Sequence, residues 1–105
     1  LRAGRLRHRV ELQSVTRTQD GYGEADESWS TYTTVWAAIE PLRGQERYLA
    51  QQVNSDTEIK VVVRYNSSVD SEDRVLIGSR VLEVVGVINP GERDEYLELL
   101  CREIT

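Results

Sequence analysis

Residues that carry chemistry are scarce in this 105-residue chain, which has one cysteine, one histidine, two prolines and no methionine or phenylalanine. A lone Cys101 excludes an intrachain disulfide and a thiolate metal cluster. Its place in the final apolar run marks it as a buried small hydrophobe rather than a reactive thiol. His8 sits on the apolar face of the first predicted strand and reads as a partly buried, hydrogen-bonded side chain. Without partner thiols or imidazoles it makes no zinc site. Gly21 and Gly23 do not precede a helix with a phosphate-binding lysine, so no nucleotide loop is expected. Asp70, Glu72, Asp73, Asp94 and Glu95 fall in predicted turns, where acids bond their own backbone or solvent. The expectation is therefore a protein that is not an enzyme and takes no cofactor, metal or small-molecule ligand. No stretch approaches the ~20 apolar residues of a membrane-spanning helix. Residues 1–5 lack the apolar stretch of a signal peptide, so a cytoplasmic, reducing origin without membrane contact is expected.

What is present is aliphatic and charged. The length suits a single domain over residues 1–105. Its apolar set is mostly Val, Leu and Ile, which favours a pleated sheet. The net charge of −5 argues against a surface that binds nucleic acid all round. Charge is also unevenly placed. Arg2, Arg5, Arg7 and Arg9 precede the first acid, Glu11, whereas acids crowd residues 20–27 and 92–95. That pattern suits a dipolar protomer making head-to-tail or ring-to-ring contacts.

Residues 6–12 alternate, with Leu6, His8, Val10 and Leu12 on one face, and predict a strand. Residues 16–27 contain Gly21-Tyr22-Gly23 and no apolar period, and read as a long, mobile hairpin loop. Residues 28–40 form a second, long strand. Trp29, Thr31, Thr33, Val35, Ala37 and Ile39 share one face, and Tyr32, Thr34, Trp36 and Ala38 the other. Thirteen residues is long for one strand, so a bulge or bend is expected near Thr33-Thr34. Trp29 and Trp36 read as core anchors ahead of interface anchors. Pro41 ends the pairing because it has no amide hydrogen to donate.

Residues 44–53 predict a helix with an apolar stripe of Tyr48, Leu49 and Val53, closed by Asn54. At this length it requires packing against the sheet. The remainder reads as strands at residues 59–65, 75–77, 81–88 and 96–104, with a polar connection at 66–72. Gly78-Ser79 supplies a two-residue hairpin turn, with positive φ at Gly78. The strand at 81–88 is apolar on both faces and is expected to be central and covered on both sides. Gly86 marks a bulge or barrel corner. The fold class is mainly β: a small antiparallel β-barrel of five to six strands, with one short α-helix between the second and third strands and a long first hairpin loop. Tyr22, Tyr32 and Tyr48 are exposed aromatics that offer stacking surfaces, but basic residues are not interleaved with them.

Several segments in fixed order carry a resemblance. They are Gly4-Arg5-Leu6-Arg7-His8-Arg9-Val10, Val35-Trp36-Ala37-Ala38-Ile39-Glu40-Pro41 with Gly44 and Glu46, Val63-Arg64-Tyr65, Val75-Leu76-Ile77-Gly78-Ser79-Arg80-Val81, Asn89-Pro90 and Leu97-Glu98-Leu99-Leu100-Cys101. Together they resemble the head-tail joining, head-completion or stopper proteins of tailed bacteriophages. The resemblance implies a virion protein of the head-tail junction, made in the bacterial host cytoplasm. It would self-assemble into a dodecameric ring on the portal or adaptor ring, close the DNA-filled head and dock tail proteins. Packaged double-stranded DNA would pass through its channel. On that footing Gln45, Glu46, Tyr48, Gln51, Gln52 and Asn54 are expected to face the channel or a neighbouring subunit. Arg2, Arg5, Arg7, Arg9, Asp20, Tyr22, Glu24 and Asp26 are expected to dock partners. The alternatives are a small single-stranded nucleic-acid-binding barrel, or a tail-side neck or tail-completion protein.

Overall fold

The structure, a computed structural model, describes residues 6–19, 25–42, 44–53 and 57–104. Six strands form it: β1 (His8–Gln19), β2 (Ala25–Pro41), β3 (Ile59–Arg64), β4 (Arg74–Ile77), β5 (Arg80–Ile88) and β6 (Tyr96–Ile104). They close into an antiparallel barrel in the order β1-β2-β3-β6-β5-β4, with β4 pairing back onto β1. Closure removes the open edges that a flat sheet of this composition would expose. A ten-residue helix, α1 (Gly44–Val53), connects β2 to β3.

The barrel interior is one cluster built by alternation. Val10 and Leu12 come from β1, Ala37 from β2, Val61 and Val63 from β3, Val75 from β4, Leu82 and Val84 from β5, and Leu97, Leu99 and Cys101 from β6. Each fully buried Leu or Val contributes roughly 1.5–3 kcal/mol relative to exposure. A smaller cluster lies on the outside, where Leu6 packs with Ala38 and Val62 and is flanked by Tyr96.

Two bulges shape the barrel. Leu12 pairs with Thr33 but Gln13 pairs with Thr31, which leaves Tyr32 as the extra residue in β2. The bend therefore falls next to the expected Thr33-Thr34. It also flips the parity, so Tyr32 packs against the core rather than standing with Trp36 on the outer face. In β5 the register shifts between Val84 and Gly86, as the glycine led one to expect. The hairpin at Gly78-Ser79 has φ 58° at the glycine and a negative φ at Ser79, the pattern of a type II′ turn.

Several expectations need correction. The first hairpin loop is shorter than residues 16–27, because β1 runs to Gln19 and β2 starts at Ala25, directly paired. Thr16, Thr18 and Arg17 suit extended backbone even without an apolar face, and Arg17 pairs in register with Glu27. Residues 20–24 of the expected loop lie outside the described residues. His8 is exposed, since β4 flanks β1 only at Glu11, Leu12 and Gln13 and leaves the strand's start uncovered on that side. Trp36 is 51% exposed on the outer face. Pairing runs one residue past Pro41, where the Leu42 amide donates to the Glu58 carbonyl at 3.1 Å. β5 is central, but only its inner face is fully buried. Val81 and Val85 remain half-buried because a closed barrel has a single interior.

Candidate functional site

The basic opening of β1 lies along the seam between β1 and β2. Arg9 pairs in register with Trp36, and its guanidinium lies over the indole at 5.2 Å from the ring centroid. On the other side of Trp36, Arg64 closes β3 one residue beyond the Ala37–Val63 pair and is exposed. Tyr65, 41% exposed, follows it. Arg7 and His8 are exposed beside them. A half-exposed tryptophan between two arginines is an interaction surface in composition, since Trp and Arg dominate binding hot spots. The sequence signal was the alternation that set Trp36 opposite Val35 and Ala37, although the residue's size favoured a core reading. Arg64 was not singled out from sequence. Arg2 and Arg5 lie outside the described residues.

On α1, Tyr48 is 64% exposed and Leu49 is 54% exposed. The expectation that this stripe packs on the sheet is therefore overturned for these two side chains. Gln52 is exposed, while Gln51 is half-buried and its amide donates to the Thr57 carbonyl at 3.1 Å. That bond ties the helix to the start of β3. Gln45 and Glu46 belong to α1, but their side chains, and all of Asn54, lie outside the described residues.

Beyond the pair Gln13–Thr31, β1 and β2 pair only with each other and form a two-stranded ribbon. Arg17 braces it, 3.5 Å from Glu27 and 3.0 Å from Glu72. The hydrogen bond and charge of Glu72 hold the Arg17 guanidinium above its ordinary range. Trp29 is half-buried beneath Arg74, whose guanidinium lies 3.8 Å from the ring centroid. Of the expected docking residues here, Asp26 lies in β2 without a described side chain. Asp20, Tyr22 and Glu24 lie outside the described residues.

The connection from β3 to β4 is built from side-chain caps. Asn66 accepts from the Ser68 amide at 2.9 Å, and Asp70 accepts from the Glu72 amide at 3.1 Å. Asp73, buried, accepts from the Asp70 amide at 3.0 Å and from the Tyr32 hydroxyl at 2.5 Å. Asp70 and Asp73 thus bond backbone, as their placement led one to expect, whereas the Tyr32 phenol on Asp73 and the Arg17 guanidinium on Glu72 are partners that the turn reading did not include. Tyr32 is consequently half-buried, not an exposed stacking surface. Its phenol is held well above the usual range, first by burial and then by the bond to Asp73.

The turn between β5 and β6 is acidic and ordered. Asn89 donates to Asp94 at 2.7 Å and accepts from the Asp94 amide at 3.2 Å, while the Glu92 amide donates to the Asn89 carbonyl at 2.9 Å. Glu92 (φ 52°) and Asp94 (φ 57°) take left-handed backbone that side chains other than glycine rarely adopt. Beside this turn lies a cleft of about 510 Å³, bordered by Glu40, Val62, Arg93, Tyr96 and Glu98. Its lysine, Lys60, lies 3.7 Å from Glu40 and 3.9 Å from Glu98. Among the described residues, no three His, Cys, Asp or Glu side chains form a group that could hold a metal ion.

The sequence model of a family described as phage head completion protein matches residues 1–104. Head completion protein gp7 of Enterobacteria phage HK97 is 29% identical over 104 residues, covering 94% of this chain and 93% of the relative. Head completion protein gp16 of Bacillus phage SPP1 is 23% identical over 77 residues, covering 73% and 71%. Among solved structures, protein SF1141 from Shigella flexneri 2a superposes with a TM-score of 0.76 at 26% identity, over 98% of this chain and 96% of that one. A chain in the virion of a native gene transfer agent particle shares the fold, with a TM-score of 0.65 at 21% identity over 94% and 96%.

Proposed function

This chain belongs to the phage head completion protein family, and from that premise we propose that it forms a ring at the portal vertex, closes the DNA-filled head and offers the surface to which the tail docks. Its role is structural, in the neck between head and tail of a phage virion. The carrying observation is the family match over residues 1–104, together with a barrel whose cationic and aromatic side chains stand on its outer wall.

In this reading the portal or adaptor ring and the tail proteins are the partners, and packaged double-stranded DNA occupies the channel. The ring is a dodecamer of single-domain protomers spanning residues 1–105. The short helix α1 faces the channel or a neighbouring subunit, a role its exposed Tyr48, Leu49 and Gln52 fit. Gln45, Gln51 and Asn54, with Gln52, are polar groups without net charge that touch DNA without gripping it, and Glu46 faces the same channel or neighbouring subunit. Arg7 and Arg9, with Arg2 and Arg5 before them, meet acidic surface on a neighbour or phosphate within the channel. The ribbon and its tip, residues 20–26, reach a partner ring or tail protein.

The test is binding of the purified protein to tailless, portal-bearing heads, with imaging of the vertex and measurement of genome leakage. A density ring at the DNA exit, with reduced leakage, is the expected result. No binding to heads would overturn the reading. In that case, salt-sensitive affinity for free oligonucleotides would favour a single-stranded nucleic-acid barrel, and binding to tail tubes would favour a tail-side neck protein.

A further inference from the structure

We infer that the outer row Arg9–Trp36–Arg64 and the acidic β5–β6 turn beside it form one docking strip. Its occupant is a segment of a partner protein that brings acidic and apolar side chains to the row and a basic one to the turn. The inference rests on the neck reading above for where that partner stands, and specifies the chemistry it carries.

Strand register builds the strip. Arg9 pairs with Trp36, Arg64 lies one residue on from the Ala37–Val63 pair and so comes level with Trp36, and Arg64 pairs with Tyr96. Their neighbours Val10, Ala37, Val63 and Leu97 fill the core. By alternation Arg9, Trp36, Arg64 and Tyr96 stand on the outer wall, in the order cation, aromatic, cation, aromatic. The row runs into the turn, because Glu95 precedes Tyr96 and its carbonyl accepts from the Tyr65 amide at 3.0 Å.

Both ends of the strip hold unspent charge. Arg9 lies over the Trp36 ring, and neither it nor Arg64 has an acidic partner among the described residues. Arg17, Arg80 and Arg102, by contrast, are ion-paired. Glu92 and Glu95 are exposed without a basic partner among the described residues. Between the two charged ends Trp36 is 51% exposed. The bonds between Asn89 and Asp94 hold the turn in one shape, so its carboxylates lose little freedom on docking.

Sign and spacing select the occupant. Alternating cations and aromatics would by themselves suit a nucleic-acid strand. The turn argues against one, because a phosphate backbone lying along the strip would meet Glu92 and Glu95 with like charge. Two copies of this chain could match row and turn to each other only face to face about a twofold axis, which a ring of like-oriented copies does not contain. A partner's segment can change sign along its length. Neighbouring strands stand about 4.8 Å apart, so Arg9 and Arg64 are separated by ~10 Å, the span of about three residues of extended chain. The segment therefore carries two acids around an apolar side chain, followed by a base.

The test reads two steps, retention of the protein on tailless, portal-bearing heads and joining of tails to those heads. Three variants are compared with the parent: Arg9→Glu with Arg64→Glu, Glu92→Lys with Glu95→Lys, and Trp36→Ala. All five side chains are exposed, and circular dichroism checks the fold. All three variants should fall by roughly tenfold or more in the same step, since one segment spans the strip. Parental behaviour of any variant in both steps, or losses in different steps, would overturn the inference. So would a lysine variant that gains where the glutamate variant loses, the mark of a uniformly negative occupant such as DNA. A parent that sediments as an oligomer, dissociated by the same variants, would give the strip to a second copy and overturn it too. A parent that is neither retained on heads nor joins tails removes the neck reading instead. The strip is then judged by the Trp36 indole N–H resonance, titrated with a synthetic peptide of that sign pattern and with a single-stranded oligonucleotide. A shift with the peptide alone upholds the strip, and any other result overturns it.

Discussion

The Tyr32 hydroxyl donates to Asp73 at 2.5 Å, which joins β2 at its bulge to the turn before β4. Asp73 is 3% exposed, so removing this donor leaves a buried oxygen with only the Asp70 amide. Tyr32→Phe should cost ~1–3 kcal/mol in urea unfolding, with the barrel's circular dichroism unchanged. A cost near zero would mean that water replaces the phenol. Cys101 is fully buried, and burial pushes its thiol up to about 12 from 9.0. The folded protein should therefore resist iodoacetamide at pH near 8 and become labelled only as it unfolds. Both groups keep their protons longer in the folded state than in the unfolded chain. Stability from them is complete below the unfolded values and is lost as pH rises through the folded ones. Alkaline titration of the unfolding midpoint should thus show a decline setting in above about pH 9, where the unfolded thiol begins to ionise.

At the scale of elements, α1 and the ribbon stand apart from the barrel. The helix presents Tyr48 and Leu49 to solvent, so it gains little there from sheet packing. Leu49→Glu should change the stability of the free protein by less than about 0.5 kcal/mol while reducing assembly on heads. A large loss of thermal stability would instead place Leu49 in a folding contact. The position of α1 was legible from good helix formers between Gly44 and Val53, but its uncovered face was not, because an amphipathic stripe looks the same whether its own sheet or a neighbour covers it. The ribbon was misread for a related reason. Its strands have few apolar residues, so periodicity is silent there, and pairing in register carries the structure instead. The bulge was legible to within a residue from strand length alone. Its consequence for Tyr32, a flip to the core, followed only from the register.

For the molecule as a whole, the distribution of charge matters more than its sum. Net charge is −5, yet Arg9 and Arg64, which have no acidic partner among the described residues, stand on the outer wall, with Arg64 beside the acidic β5–β6 turn. Deleting residues 21–26 at the ribbon tip should leave the barrel folded, since the described core is built from residues 10–12, 37, 61–63, 75, 82–84 and 97–101, and should abolish assembly on DNA-filled heads. Assembly at parental levels would remove the ribbon from docking. Closure of the barrel explains why two apolar faces in β5 do not imply two coverings. The inner face fills the core, while Val81 and Val85 on the outer face remain half-buried.

Composition and period were sufficient for a mainly β chain with strands near their observed positions, a turn at Gly78, side-chain caps in the acidic turns and a buried Cys101. These are local properties, set by side-chain alternation, by the freedom of glycine and by the reach of short polar side chains. The ordered segments also pointed to the family, whose model matches residues 1–104. Tertiary structure alone decided the order in which the strands neighbour one another, that Trp36 faces out between Arg9 and Arg64, and that the acidic turn lies beside Arg64. Those outcomes depend on which strands become neighbours, and neighbours distant in sequence are chosen by the barrel's closure rather than by any one segment's preference.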